Sequence, residues 1–176
     1  MKKIEVKLQD KSYSVDIFTT AKDVLNQAGL IGSEPVNYLD NPIVGVLING
    51  VLSALETPIA MSCTLKPINV FQGFGRRIYR HSICFLLSYT SYLLYPTRRL
   101  VIGHSLGDGF YFNYEDNHPV LKEQIQALVD KMKELVDYSL DIEYVTLSTQ
   151  DAIAKLNNQG FFDAVTLLKT RNDAAV

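Results

Sequence analysis

The sequence is short of cysteine: Cys63 and Cys84 are the two in 176 residues, too few for a disulfide framework. It also lacks a long hydrophobic run. The most apolar segment, residues 83–95, is too short to span a bilayer and carries Ser88, Thr90 and Ser91. Met1, Lys2 and Lys3 have the charge of a signal-peptide start, but residues 4–10 alternate charged and apolar, so no apolar h-region follows. Charge of one sign is not in excess. The formal net charge of −2 gives no bulk attraction to nucleic acid or anionic membrane, and leaves any such binding to a local patch. These absences predict a cytoplasmic chain with no membrane partner. The P-loop pattern G-x-x-x-x-G-K-[ST] is missing as well. Residues 103–109 hold three glycines, but no lysine follows, and the spacing is not that of a dinucleotide fingerprint.

What is present suits a packed core. Hydrophobic residues make up 47% and charged residues 20%, and no internal repeat or low-complexity segment interrupts them. Residues 4–8 and 13–17 alternate and predict a hairpin. Thr19 and Thr20 offer an N-cap to a helix with Val24, Leu25 and Ala28 on one face, stopped at Gly29. Residues 43–48 predict a strand, the Asn49-Gly50 pair a tight turn, and residues 51–55 the return. Residues 64–70 predict a last strand, for which Pro67 suggests a sheet edge.

Gly73, Phe74 and Gly75 then predict a flexible joint. Residues 76–95 predict one helix, apolar on most sides from Ile83 onward and therefore expected to be central and buried, ending at Pro96. Residues 99–102 and 110–114 predict strands joined by a turn in which Asp108 is an ordinary occupant. Residues 119–136 predict an amphipathic helix, 141–145 a strand, 149–156 a helix capped by Ser148, and 161–168 a further helical turn or two. The expected class is α+β: a small mixed sheet with one helix, then a long central helix packed on a small antiparallel sheet.

Residues 103–107 spell G-H-S-L-G, the G-x-S-x-G pattern of a nucleophile elbow. The context is wrong for one. An elbow turns from strand into helix, whereas Leu106 is followed by Gly-Asp-Gly and a run of aromatics that predicts another strand. Only His118 follows among the histidines, too close for a triad member. Ser105 is therefore expected in a hairpin. The adjacent acids Glu115 and Asp116 are expected in a solvated loop with no partner to tune them.

A positive patch remains. Arg76, Arg77 and Arg80 crowd the start of the long helix, and Arg98 and Arg99 follow it. Cations at a helix N-terminus cost about 0.3–1 kcal/mol each when exposed, so three of them ask for a reason: an anionic partner (a phosphate or nucleotide, an RNA backbone or an acidic surface), or a solvated surface on which the arginine stems cover apolar neighbours such as Tyr79. His81 and His104 complete the candidate set for such binding. No catalytic residue, cofactor or metal ligand is assigned. His81 and Cys84 stand at i and i+3, but a closed zinc site needs four ligands, and His104 and His118 have no second cysteine nearby.

Two modules in order resemble a known pair. Residues 1–72, through Val46-Leu47-Ile48-Asn49-Gly50-Val51-Leu52 and Leu55-Glu56-Thr57-Pro58-Ile59, resemble the ubiquitin-like β-grasp TGS domain. Residues 76–176, through Arg80-His81-Ser82, Ile102-Gly103 and Asp108-Gly109-Phe110-Tyr111-Phe112, resemble the second N-terminal domain of threonyl-tRNA synthetases, truncated at its end. The same pair precedes the catalytic domain of uridine kinase-family nucleoside kinases. Gly75-Arg76-Arg77-Ile78-Tyr79-Arg80 and His104-Ser105-Leu106 lean toward that family, since synthetases usually place a proline after the Ile-Gly. The resemblance implies a non-catalytic regulatory or ligand-binding region of a nucleoside kinase. ATP and magnesium would belong to a catalytic domain beyond Val176, which would be its partner. The alternative is a tRNA-binding region of a threonyl-tRNA synthetase. Synthetases that edit use H-x-x-x-H on the long helix and a later C-x-x-x-H. Here His81 matches the first histidine, Phe85 replaces the second, and no C-x-x-x-H follows.

Overall fold

Alternation builds the first sheet. In β1 (Lys3–Leu8), Lys3, Glu5 and Lys7 face out while Ile4, Val6 and Leu8 are buried. A computed structural model describes residues 2–32, 38–107, 109–138, 142 and 145–170. In it β1 pairs antiparallel with β2 (Lys11–Asp16) and parallel with β5 (Cys63–Asn69). β5 pairs antiparallel with β3 (Ile43–Ile48), which turns into β4 (Val51–Ser53), giving the order β2-β1-β5-β3-β4. The β3–β4 turn uses left-handed Asn49 and Gly50, at φ 50° and 84°. The whole is α+β, and this sheet is compatible with a β-grasp arrangement.

The helix α1 (Ala21–Gln27) closes one face. Thr20 caps it by accepting from the Asp23 amide at 3.2 Å, while the Asp23 carboxylate reaches back to Thr20 in a capping box. Gly29, at φ 72°, ends it as expected. Val24 and Leu25 are fully buried and pack in one cluster with Ile4, Val6, Leu8, Val46 and Leu65.

Pro67 lies in a central strand, not at the edge its identity suggested. Register explains this. The Asn49 amide donates to the Thr64 carbonyl, so alternate residues of β5 direct their peptide groups to β3, and Pro67 has the opposite parity. Its nitrogen therefore points to the β1 side, where pairing has already ended at Leu8 and Leu65. The missing N–H falls where no ladder bond is needed.

The helix α2 (Gly73–Leu94) crosses to the other face of the sheet. Gly73, Phe74 and Gly75 form its first turn and are not a flexible joint. A Cβ on Gly75 would lie 2.0 Å from the Asn69 carbonyl oxygen, so glycine is what lets the helix press on the end of β5. Asn41 secures the approach: it accepts from the Phe71 amide at 3.1 Å, and its carbonyl accepts from Asn69 Nδ2 at 2.7 Å. Further along, Ile78 covers Gly45, where a Cβ would stand 3.0 Å from Ile78 Cδ1.

The hairpin of β6 (Leu100–Leu106) and β7 (Gly109–Tyr114) packs against α2. Its anchor is Tyr114, fully buried. The Tyr114 hydroxyl lies 3.0 Å from Ser91 Oγ, its ring meets Tyr95 edge-on, and the Arg98 guanidinium sits 3.9 Å over it. The expectation that α2 is buried fails. Gly75, Thr90 and Ser91 are its buried residues, while Phe85 is 57% exposed and Ile83, Tyr89, Tyr92 and Leu93 are exposed too. One side of the helix meets β3, β5 and β6, and the apolar residues reach round to the other.

The chain divides into two compact units, Met1–Lys133 and Glu134–Val176, and α3 (Lys122–Asp137) runs through the boundary. In the second unit α4 (Thr149–Asn158) is capped by Ser148, which accepts from the Asp151 amide at 3.1 Å. It packs on α5 (Phe162–Lys169), burying Ala152, Val165 and Leu168. Asp108, and Asp141, Glu143 and Tyr144 of the expected strand at 141–145, lie outside the described residues.

Candidate functional site

The site begins at a helix end left open. Gln72, the N-cap of α2, makes no side-chain capping bond, and no acid stands in the first turn. Neither a side-chain cap nor a carboxylate of its own first turn offsets the positive end of the helix dipole. Into this region α2 projects Arg76, Arg77, Arg80 and His81. Together with Gly73, and with Ser105 and Phe110 from the hairpin, they line a hollow of about 310 Å³. The Arg80 guanidinium carbon lies 6.0 Å from the centre of the Phe110 ring. Arg76 and Arg77 make no ion pair among the described residues. Three guanidinium groups around one recess favour a multiply charged oxyanion.

The other candidates part from this group. His104 lies on the hairpin at a bulge, where Gly103 and His104 oppose Tyr111, and its ring stacks on Tyr111 at 6.0 Å. Arg98 is committed elsewhere. It donates to both Asp116 oxygens, at 2.6 and 3.0 Å, and to the His118 carbonyl at 3.4 Å. Arg99 pairs with Glu115 at 3.2 Å. The two arginines after α2 thus brace the loop following β7 and line neither this hollow nor the cleft beside it.

These pairs also correct the expectation for the two acids, which do have partners. The Arg98 hydrogen bond, foremost, lowers the Asp116 carboxyl from its ordinary 3.8 to about 2. Local sequence gives no hint of this, because the partners are 18 residues apart and meet only once the hairpin folds back.

Ser105 sits in β6, paired with Phe110, and the backbone after Leu106 returns as β7 and not as a helix. Without a helix N-terminus behind it, Ser105 lacks an elbow's geometry. It shares the hollow with His81, but no hydrogen bond joins them. Phe85, one turn beyond His81, points its apolar ring to solvent. Among the described residues no three His, Cys, Asp or Glu gather as a metal site, and no helix is long and apolar enough to cross a membrane.

A second recess adjoins the first. It is a cleft of about 580 Å³ between α2 and β7 that shares Arg76, Arg80 and Phe110 with the hollow, then continues along Ile83, Leu87 and Phe112. Neither Phe110 nor Ser105 was expected beside the arginines. The strand of Phe110 was legible, whereas Ser105 was expected in the connecting turn and lies in β6, and the bulge that sets which residues of the hairpin meet α2 has no local signature.

No family model matches the chain. It is 28% identical over 156 residues to the threonine–tRNA ligase of Aquifex aeolicus, covering 87% of this chain and 23% of that protein. Against the threonine–tRNA ligase of Clostridioides difficile it is 26% identical over 155 residues, covering 88% and 24%. Against that of Citrifermentans bemidjiense it is 32% identical over 113 residues, covering 64% and 18%. The chain thus spans roughly a fifth of the length of the curated relatives it matches. Of the two families the sequence resembles, the similarity falls on the threonyl-tRNA synthetases.

Proposed function

We propose that the chain is a non-catalytic RNA-binding region of the threonyl-tRNA synthetase type, with tRNA backbone phosphates as the ligand of the arginine hollow. The observation that carries this is the convergence of Arg76, Arg77 and Arg80 at an uncapped helix end, in a chain similar to threonine–tRNA ligases over most of its length. On this reading residues 1–72 are the TGS-like module and 76–176 the module resembling the second synthetase domain. The alternative parent, a uridine kinase-family enzyme using ATP and magnesium, draws no support from these relatives. Editing chemistry is not assigned, since Phe85 can neither ligate a metal nor move a proton.

The test is a gel shift of unmodified tRNA against salt. Binding is expected to weaken steeply with salt. Arg76→Ala with Arg77→Ala is expected to reduce the log–log slope by about 1.4–1.8, two phosphate contacts' worth. A double variant that binds with the parent's affinity and slope would sink the proposal.

A further inference from the structure

We propose that the cleft between α2 and β7 binds a small amphiphilic anion: a carboxylate bearing a medium-length acyl chain, its head at Arg76 and Arg80 and its tail along Ile83 and Leu87. This goes beyond the RNA reading and stands without it.

The cleft, at about 580 Å³, is of the size that holds small molecules. Its polarity is graded along one direction. Arg76 and Arg80 are one helical turn apart on the same face, and Ile83 and Leu87 continue that face toward the C-terminus. The axial rise from Arg76 to Leu87 is about 16 Å, so charge gathers at one end of an elongated apolar trough. The opposite wall is Phe110 and Phe112.

The same walls argue against a nucleobase in the trough. Ile83, Leu87, Phe110 and Phe112 carry no side-chain donor or acceptor, and beside the arginines the lining adds the Tyr79 hydroxyl and the Cys84 thiol, too few to match the polar edge of a base, whereas a hydrocarbon needs no such partner. A carboxylate head suits the arginines through paired N–H donors. Arg76, Arg80 and Phe110 line both recesses, so an acyl anion and RNA would meet at the same guanidinium groups.

Calorimetric titration of the full chain with octanoate, 1-octanol and acetate separates tail from head. Octanoate is expected to saturate one site at least tenfold more tightly than either of the others. Arg76→Ala should weaken octanoate about fivefold or more and leave 1-octanol unchanged. Cys84 also lines the cleft, so Cys84→Trp should fill it and abolish binding. If that variant fails to fold, protection decides: octanoate should slow N-ethylmaleimide labelling of Cys84, located by peptide mass spectrometry. Octanoate binding no tighter than 1-octanol or acetate overturns the proposal, as does binding that survives a folded Cys84→Trp or gives Cys84 no protection. A parent chain that binds octanoate as expected but does not shift tRNA would overturn the RNA reading alone.

Discussion

Gly73 and Gly75 stand two residues apart in the first turn of α2 and answer to different constraints. A Cβ on Gly73 meets nothing within 4 Å, whereas one on Gly75 collides with backbone at Asn69 and Val70. Gly73→Ala is therefore expected to stabilise the protein by about 0.4–1 kcal/mol, by restricting the unfolded chain. Gly75→Ala should destabilise it by about 1–3 kcal/mol, because the helix must lift off the strand end. Urea denaturation of the pair checks both signs, and equal effects would mean that the close approach does not matter. Asp116 offers a pH test. Its carboxyl is depressed to about 2 in the folded state, so the stability it lends is fully present above its ordinary 3.8 and is lost as pH falls through about 2. Asp116→Asn should flatten the acid limb of stability in that window. A carbon-detected NMR titration placing the Asp116 carboxyl at its ordinary value would contradict the pairing.

At the scale of elements, α2 carries an anomaly. Thr90 is fully buried, and its hydroxyl has no hydrogen-bond partner. Thr90→Val keeps the shape and removes the unpaired oxygen, so it should leave stability unchanged or raise it by about 1 kcal/mol. A loss of 1 kcal/mol or more in thermal unfolding would show that the hydroxyl has a partner after all. The elements themselves were largely legible. Alternation in residues 4–8, the Asn49-Gly50 turn, the caps at Thr20 and Ser148 and the glycine stop at Gly29 are short-range signals, and each matches the structure. The misreadings came from long-range facts. Pro67 is harmless in a central strand only because β1 ends before reaching it. The two glycines opening α2 resemble a hinge until Asn69 is placed against one of them. The apolar circumference of α2 shows that burial is wanted, but not by what. For the candidate site, α2 alone supplied Arg76, Arg77, Arg80 and His81 in the expected grouping. Arg98 and Arg99 were separated from it by acids that only the hairpin brings near.

At the scale of the molecule, a net charge of −2 coexists with three arginines at one recess, so any affinity for polyanions has to be local. A chain without a P-loop pattern is expected to show no ATP-dependent phosphorylation of uridine, measured with labelled ATP, and turnover would demand a phosphate site of a different kind. Within residues 1–133 one long helix serves both sheets. Its first two turns bear on β5 and β3 through Gly75 and Ile78, and Ser91 near its far end holds Tyr114 of the hairpin. Such a helix works as an axle common to two wheels. Amides in β3 and in β7 should therefore exchange through the same opening event, and a perturbation at Gly75 should loosen the hairpin carrying Ser105 and Phe110 as well as the sheet beneath it.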